Sequence, residues 1–193
     1  MRFALVFFVI LSSSISGCFG TDDLFDEKRG EPGGLALACL QDDRFDKMRI
    51  HFFFENGYNP DAMELVKTRL NQVCDKPGGI QIIAEEINFA EDNSWSADDV
   101  RKVRWKHGSD AMDGSTLNWY FIFPKGTYND DSVLGVAVDA STVAVFKDSI
   151  EESVNFIGRP SAEEIERAVT VHEAGHLLGL VNLVYTSPID HED

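Results

Sequence analysis

Positive charge is scarce in this chain. Its 193 residues hold 17 Lys and Arg against 33 Asp and Glu, for a formal net charge of -16. Such a surface repels phosphate backbones, which excludes nucleic acid as a partner. It also excludes a polybasic dock onto anionic lipid. The sequence has no G-x-S-x-G elbow, no phosphate-cradling glycine loop and no cysteine set as a nucleophile, so the hydrolase and nucleotide chemistries those motifs serve are not indicated. Internal repeats and a second hydrophobic core are absent too, leaving one domain plus appendages.

Cysteine is sparse, at three residues, and each has a distinct setting. Cys18 follows a short positive region (Arg2), an apolar run from Phe3 to Leu11, and the small-residue stretch Ile15-Ser16-Gly17. That order reads as a signal peptide over 1–17 with a lipobox, cleaved before a lipid-modified Cys18. An ordinary signal peptide with a chance cysteine is the alternative. The apolar run is too short to span a bilayer. Both readings take the protein out of the cytoplasm, to the cell surface on a lipid anchor or into secretion. Loss of Arg2 with the signal peptide takes the net charge from -16 to -17. Cys39 and Cys74 remain, and in an oxidising compartment an even remainder predicts a disulfide, with two buried thiols as the alternative.

What the chain does have stands near its end: His172-Glu173-Ala174-Gly175-His176-Leu177-Leu178-Gly179-Leu180. On a helix, residues four apart share a face, so His172 and His176 can aim imidazole nitrogens at one ion. Glu173 reaches the open side of that ion, where a carboxylate can take a proton from water. A bare match is weak evidence, but its setting adds to it. Pro160 followed by Ser161-Ala162-Glu163-Glu164 is a capping box that starts a helix about three turns earlier. Val169, Val171, Leu177, Leu178, Leu180 and Val181 predict a helix apolar on most sides and centrally buried. Burying two imidazoles and a carboxylate there is costly unless something pairs with them. The bland alternative is a pair of core histidines.

This stretch resembles the zincin metallopeptidases, and Gly179 makes it similar to the metzincin pattern H-E-x-x-H-x-x-G-x-x-H. The resemblance implies Zn2+ as cofactor, His172 and His176 as ligands, Glu173 as the catalytic base and a peptide or protein substrate. It implies a sharp turn at Gly179, and a third ligand where this chain has Asn182, a poor donor for zinc. His191 has the right chemistry for that role and lies beyond Ser187-Pro188, where the chain could turn back; Asp190 is another option. The Met-turn of that family has no counterpart before Asp193, so the chain is expected to be either a minimal zincin or truncated at its C-terminus.

The rest of the sequence frames this helix. Residues 18–34 are acidic, with Gly and Pro toward the end, and read as a tether, so the catalytic domain is expected over 35–193. Met48 to Phe54 is an aromatic strand closed by Asn56-Gly57, and Pro60 to Cys74 has helical spacing. Ile80 to Phe89 predicts a strand, Ser96 caps a helix running to about His107, and Leu117 to Phe123 predicts another strand. Val133 to Phe146 reads as one strand or a tight hairpin around Asp139-Ala140-Ser141. The fold class is therefore α/β (α+β), a mixed sheet with long helices and the motif helix last, similar to the N-terminal subdomain of metzincins. Under that resemblance the strand before the motif helix is a sheet edge over the cleft, with Gly135 and Ala137 small enough to admit a peptide backbone.

Other candidates carry less. His51 in its aromatic strand reads as a packed core residue, and His107 as a helix-end charge without chemistry. Trp95, Trp105 and Trp119 read as core, and the acidic pairs Glu85-Glu86 and Asp98-Asp99 as solvated faces. The sequence thus points to a lipid-anchored, extracytoplasmic zinc endopeptidase. The rival is a zinc-binding pseudo-peptidase acting as a surface interaction module.

Overall fold

Strand β5, Thr116–Phe123, is buried at every position, and the fold is built around it. A run of that kind, apolar on both faces, belongs at the centre of a largely parallel sheet. The structure, a computed structural model, describes residues 21–89, 94–154 and 160–180. In chain order its elements are α1 (Thr21–Lys28), α2 (Ala36–Leu40), β1 (Lys47–Phe54), α3 (Met63–Val73), β2 (Ile80–Glu86), β3 (Ser94–Trp95) and α4 (Ala97–His107). There follow β4 (Met112–Asp113), β5, β6 (Thr127–Tyr128), β7 (Gly135–Asp139), β8 (Thr142–Val145), α5 (Lys147–Ser153) and α6 (Ala162–Leu177).

The main sheet runs β2-β1-β5-β8-β7, with β4 antiparallel on β5. β1 pairs parallel with β2 and β5, β5 parallel with β8, and β7 returns antiparallel as an edge strand. The mixed α/β class is as the sequence predicts, and of the two readings of 133–146, one strand or a tight hairpin, the structure has the hairpin. Its turn is fixed by Asp139, whose Oδ1 accepts from the Ser141 amide at 2.8 Å.

Period-two alternation gives the sheet two covered faces. Ile50, Phe52 and Phe54 of β1, with Leu117, Trp119, Phe121 and Phe123 of β5, join Val66 and Leu70 of α3 and Ala174 and Leu177 of α6 in one core. Phe53, Tyr120, Ile122 and Ala144 point the other way, against Val100 of α4. The result is three layers, with α6 lying across β7 and β8. Among the described residues no helix is long and apolar enough to cross a membrane. The signal peptide, Cys18 and its lipobox lie outside the described residues.

Several expectations need correction. The described part of the 18–34 tether is packed: Phe25 is 2% exposed and its ring meets that of Phe45 at 6.1 Å, tilted by 47°, while the Arg29 carbonyl accepts from the Ala140 amide at 3.2 Å. Phe25 and Leu35 are apolar anchors that the acidic composition around them masks. The packed domain therefore begins before Leu35. Trp95 and Trp119 are core, but Trp105 is 64% exposed. It lies about 140° around α4 from Val100, the buried contact of that helix, and so faces outward. The motif helix is not buried all round either. Glu163, Arg167 and His172 are exposed, because only one flank of α6 meets the sheet.

Candidate metal centre

Helix α6 starts where its capping box predicts. The Ser161 amide donates to Glu164 at 2.8 Å, and the Glu164 amide donates back to the Ser161 hydroxyl at 3.2 Å. From that start, Glu166, Thr170, Glu173 and Leu177 fall on the buried stripe of the helix. His172 and His176 sit one turn apart at the margin of this stripe. His172 is exposed and His176 is buried, so the pair bridges surface and interior.

The two Nε2 atoms are 3.0 Å apart, with the rings nearly perpendicular at 87°. Two imidazoles bound to one tetrahedral zinc at about 2.0–2.1 Å would hold their nitrogens about 3.3 Å apart, so the spacing fits a shared ion. As an imidazole–imidazole hydrogen bond, the same geometry requires the two rings to hold opposite roles at Nε2. Glu173 Oε2 lies 3.9 Å from His176 Nε2. One ligand atom from each of His172, Glu173 and His176 falls within 4.8 Å of the others, and this group could hold a metal ion. No other such group occurs among the described residues.

The helix ends on a Schellman motif. The Gly179 amide donates to the His176 carbonyl at 3.0 Å and the Leu180 amide to Gly175 at 3.1 Å, with Gly179 at φ +75°. The sharp turn expected at Gly179 is thus present. Gly33 presses on it from the N-terminal segment: a Cβ there would lie 2.7 Å from the Gly179 Cα. The third-ligand candidates Asn182, Asp190 and His191 lie outside the described residues.

Cys39 and Cys74 form a disulfide that ties α2 to the end of α3. His51 is not brought to the site. It stacks on Tyr120 at 4.7 Å and meets Asn118 at 3.2 Å, and burial holds its pKa below the ordinary histidine value. Glu85 and Glu86 are exposed, and Asp99 completes the cap of α4 with Ser96.

The sequence reading passed over Glu166, two turns before Glu173. Glu166 is 5% exposed; it accepts from the Tyr58 hydroxyl and from the Asp61 amide at 2.8 Å. Burial raises its pKa, against the opposing pull of the bonds from Tyr58 and from the backbones of Asp61 and Ala62. Burial also raises the pKa of Tyr58, so this phenol keeps its proton and donates it to the carboxylate. Its one sequence signal is the seven-residue spacing to Glu173. Comparison with protein families, characterised proteins and solved structures returns no match to this chain.

Proposed function

We propose that this protein is a zinc-dependent endopeptidase, metzincin-like, that cleaves peptides or proteins outside the cytoplasm. The observation that carries the reading is the approach of two Nε2 atoms to 3.0 Å with a buried carboxylate beside them on the same helix. His172 and His176 would hold the ion, with the third donor (His191 in this reading) coming from the chain after Gly179. When bound, zinc supplies a Lewis acid that acidifies a water and polarises a carbonyl. Glu173 takes the proton of the attacking water and then passes it to the amine that leaves. The half-open setting suits the task, since Glu173 is buried while His172 beside it stands exposed on the side from which a substrate would come.

An extended peptide would lie along the edge strand β7 and bind mostly through its main chain. Proline at Val136 or Val138 should then weaken peptide binding more than zinc binding. Lipid modification at Cys18 would anchor the protein to a membrane, and the Cys39–Cys74 disulfide fits the oxidising compartment this implies. The deciding experiment is Glu173→Gln, which keeps zinc and abolishes cleavage of a broad peptide library; surviving cleavage overturns the mechanism. Asn182, at the third-ligand position of the resembled pattern, favours a second reading: a zinc-binding surface module without activity. Bound zinc with no cleavage by the wild-type chain would select it.

A further inference from the structure

Edge strand β7 meets helix α6 at Gly135, and the contact there is too close for any side chain. A Cβ on Gly135 would lie 2.8 Å from both Cγ and Oε1 of Glu173, and 2.7 Å from Cγ1 of Val169. Non-bonded carbon pairs are at rest at about 3.5–4.0 Å, so nothing larger than hydrogen fits. Backbone conformation does not ask for glycine here, since Gly135 is not among the residues with positive φ. The requirement is one of space, and two of the three nearest atoms belong to the Glu173 side chain.

The two oxygens of Glu173 divide between two neighbours. Oε1 faces the bare Cα of Gly135, and Oε2 lies 3.9 Å from His176 Nε2. We infer that Gly135 is a positioning residue, whose missing side chain lets the Glu173 carboxylate lie between the edge strand and the metal-binding histidines. This rests on the peptidase reading, and it assigns β7 a role apart from pairing with substrate. A methyl at 135 must displace something. Val169 is β-branched and stiff on its helix, whereas the carboxylate is the end of a flexible chain. The carboxylate therefore moves, and the displacement falls on the catalytic base.

The test is Gly135→Ala in the full chain, with zinc affinity, thermal midpoint and peptide cleavage measured together. Misplacing a reacting group by about 1 Å costs about 10²-fold in rate, so kcat should fall by about that factor. KM and zinc affinity should each stay within about threefold, because neither binding step uses the position of the carboxylate. A purely structural role would lower zinc affinity along with kcat. A second measurement does not depend on activity: Gly135→Ala should lower the midpoint less in a Glu173→Ala background, where the two clashes with Glu173 are gone and only that with Val169 remains. Equal falls in both backgrounds overturn the contact. Undiminished kcat in Gly135→Ala overturns the positioning role and leaves the peptidase reading standing. If the zinc-loaded wild type cleaves nothing, the peptidase reading itself fails, and coupling between 135 and 173 is then packing alone.

Discussion

Helix α6 carries two buried glutamates seven residues apart, Glu166 and Glu173, each 5% exposed. Two turns of helix put them on one buried stripe. Their neighbours differ. Glu166 is met by donors from the segment after β1, the Tyr58 hydroxyl and the Asp61 amide, and so staples that segment to the helix. Glu173 is met by an imidazole nitrogen at 3.9 Å and by the bare backbone of Gly135. Burial alone therefore does not mark a functional carboxylate. A carboxylate held by backbone and phenol donors from another element serves the fold, whereas one lying beside paired imidazoles has the setting that the proposed peptidase needs for proton transfer.

The sharpest way to break this comparison is to convert each carboxylate to its amide. General-base catalysis contributes about 10²–10⁴-fold, so Glu173→Gln should lower kcat by about 10³-fold while retaining zinc. Glu166→Gln should leave kcat near the wild-type value. Peptide-library cleavage with metal analysis on both variants checks this, and equal losses would erase the distinction. Truncation reverses the ranking. Glu166→Ala strands the Tyr58 hydroxyl and the Asp61 amide without their acceptor, which should cost about 3 kcal/mol in urea unfolding. Glu173→Ala should cost less; an equal or larger cost would make Glu173 the structural member of the pair.

The half of this comparison that the sequence makes legible is the half that depends on local spacing. His172, Glu173 and His176 fall within about one turn of helix, and Ser161 with Glu164 announces the helix. β1 and β5 stand out for their aromatic and β-branched runs, and the hairpin over 133–146 for its turn residues. Two lone cysteines were enough to predict the disulfide. Glu166 stayed hidden because its phenol partner is 108 residues away, and no periodicity reports a donor from another element. Phe25 was masked by the acids around it, and Trp105 by the habit of tryptophan to be buried. Gly135 could be seen as small, but the sequence does not show which side chain occupies the space beside it.

Titration sharpens the comparison at lower cost to the fold. The Glu166 pKa is raised above that of an unfolded glutamate, so its contribution to stability is fully present below about pH 4.5. It is lost as pH rises from there through the folded value, because the unfolded chain then ionises more readily than the native one. Glu166→Gln removes this dependence. The amide can still accept from the Asp61 N–H through its oxygen and donate to the Tyr58 oxygen through its nitrogen. Denaturant midpoints of the variant should therefore gain on the wild type as pH rises from about 4.5 toward neutrality. A variant that loses ground over that range would mean that the ionised carboxylate is the form the fold prefers.

The smallest effect separates the two ends of the helix. Ser161→Ala removes the acceptor for the Glu164 amide, a loss of about 1 kcal/mol for a typical N-cap. The cap lies five residues before Glu166 and eleven before His172, and fraying runs inward from the end that lost its cap. Amide exchange should quicken in the first turn of α6 and reach the Glu166 region only weakly, since Tyr58 and Asp61 hold it from outside the helix. Zinc affinity should not change, because His172 and His176 sit in the last turns and that end is closed by the Gly179 motif instead. Combining Ser161→Ala with Glu166→Ala removes both restraints on the first half of the helix. If the two carboxylates serve separate purposes, even that pair should unsettle the first turns while the histidines still bind metal. Loss of zinc in the double variant would show that the staple at Glu166 is also part of what aims the site.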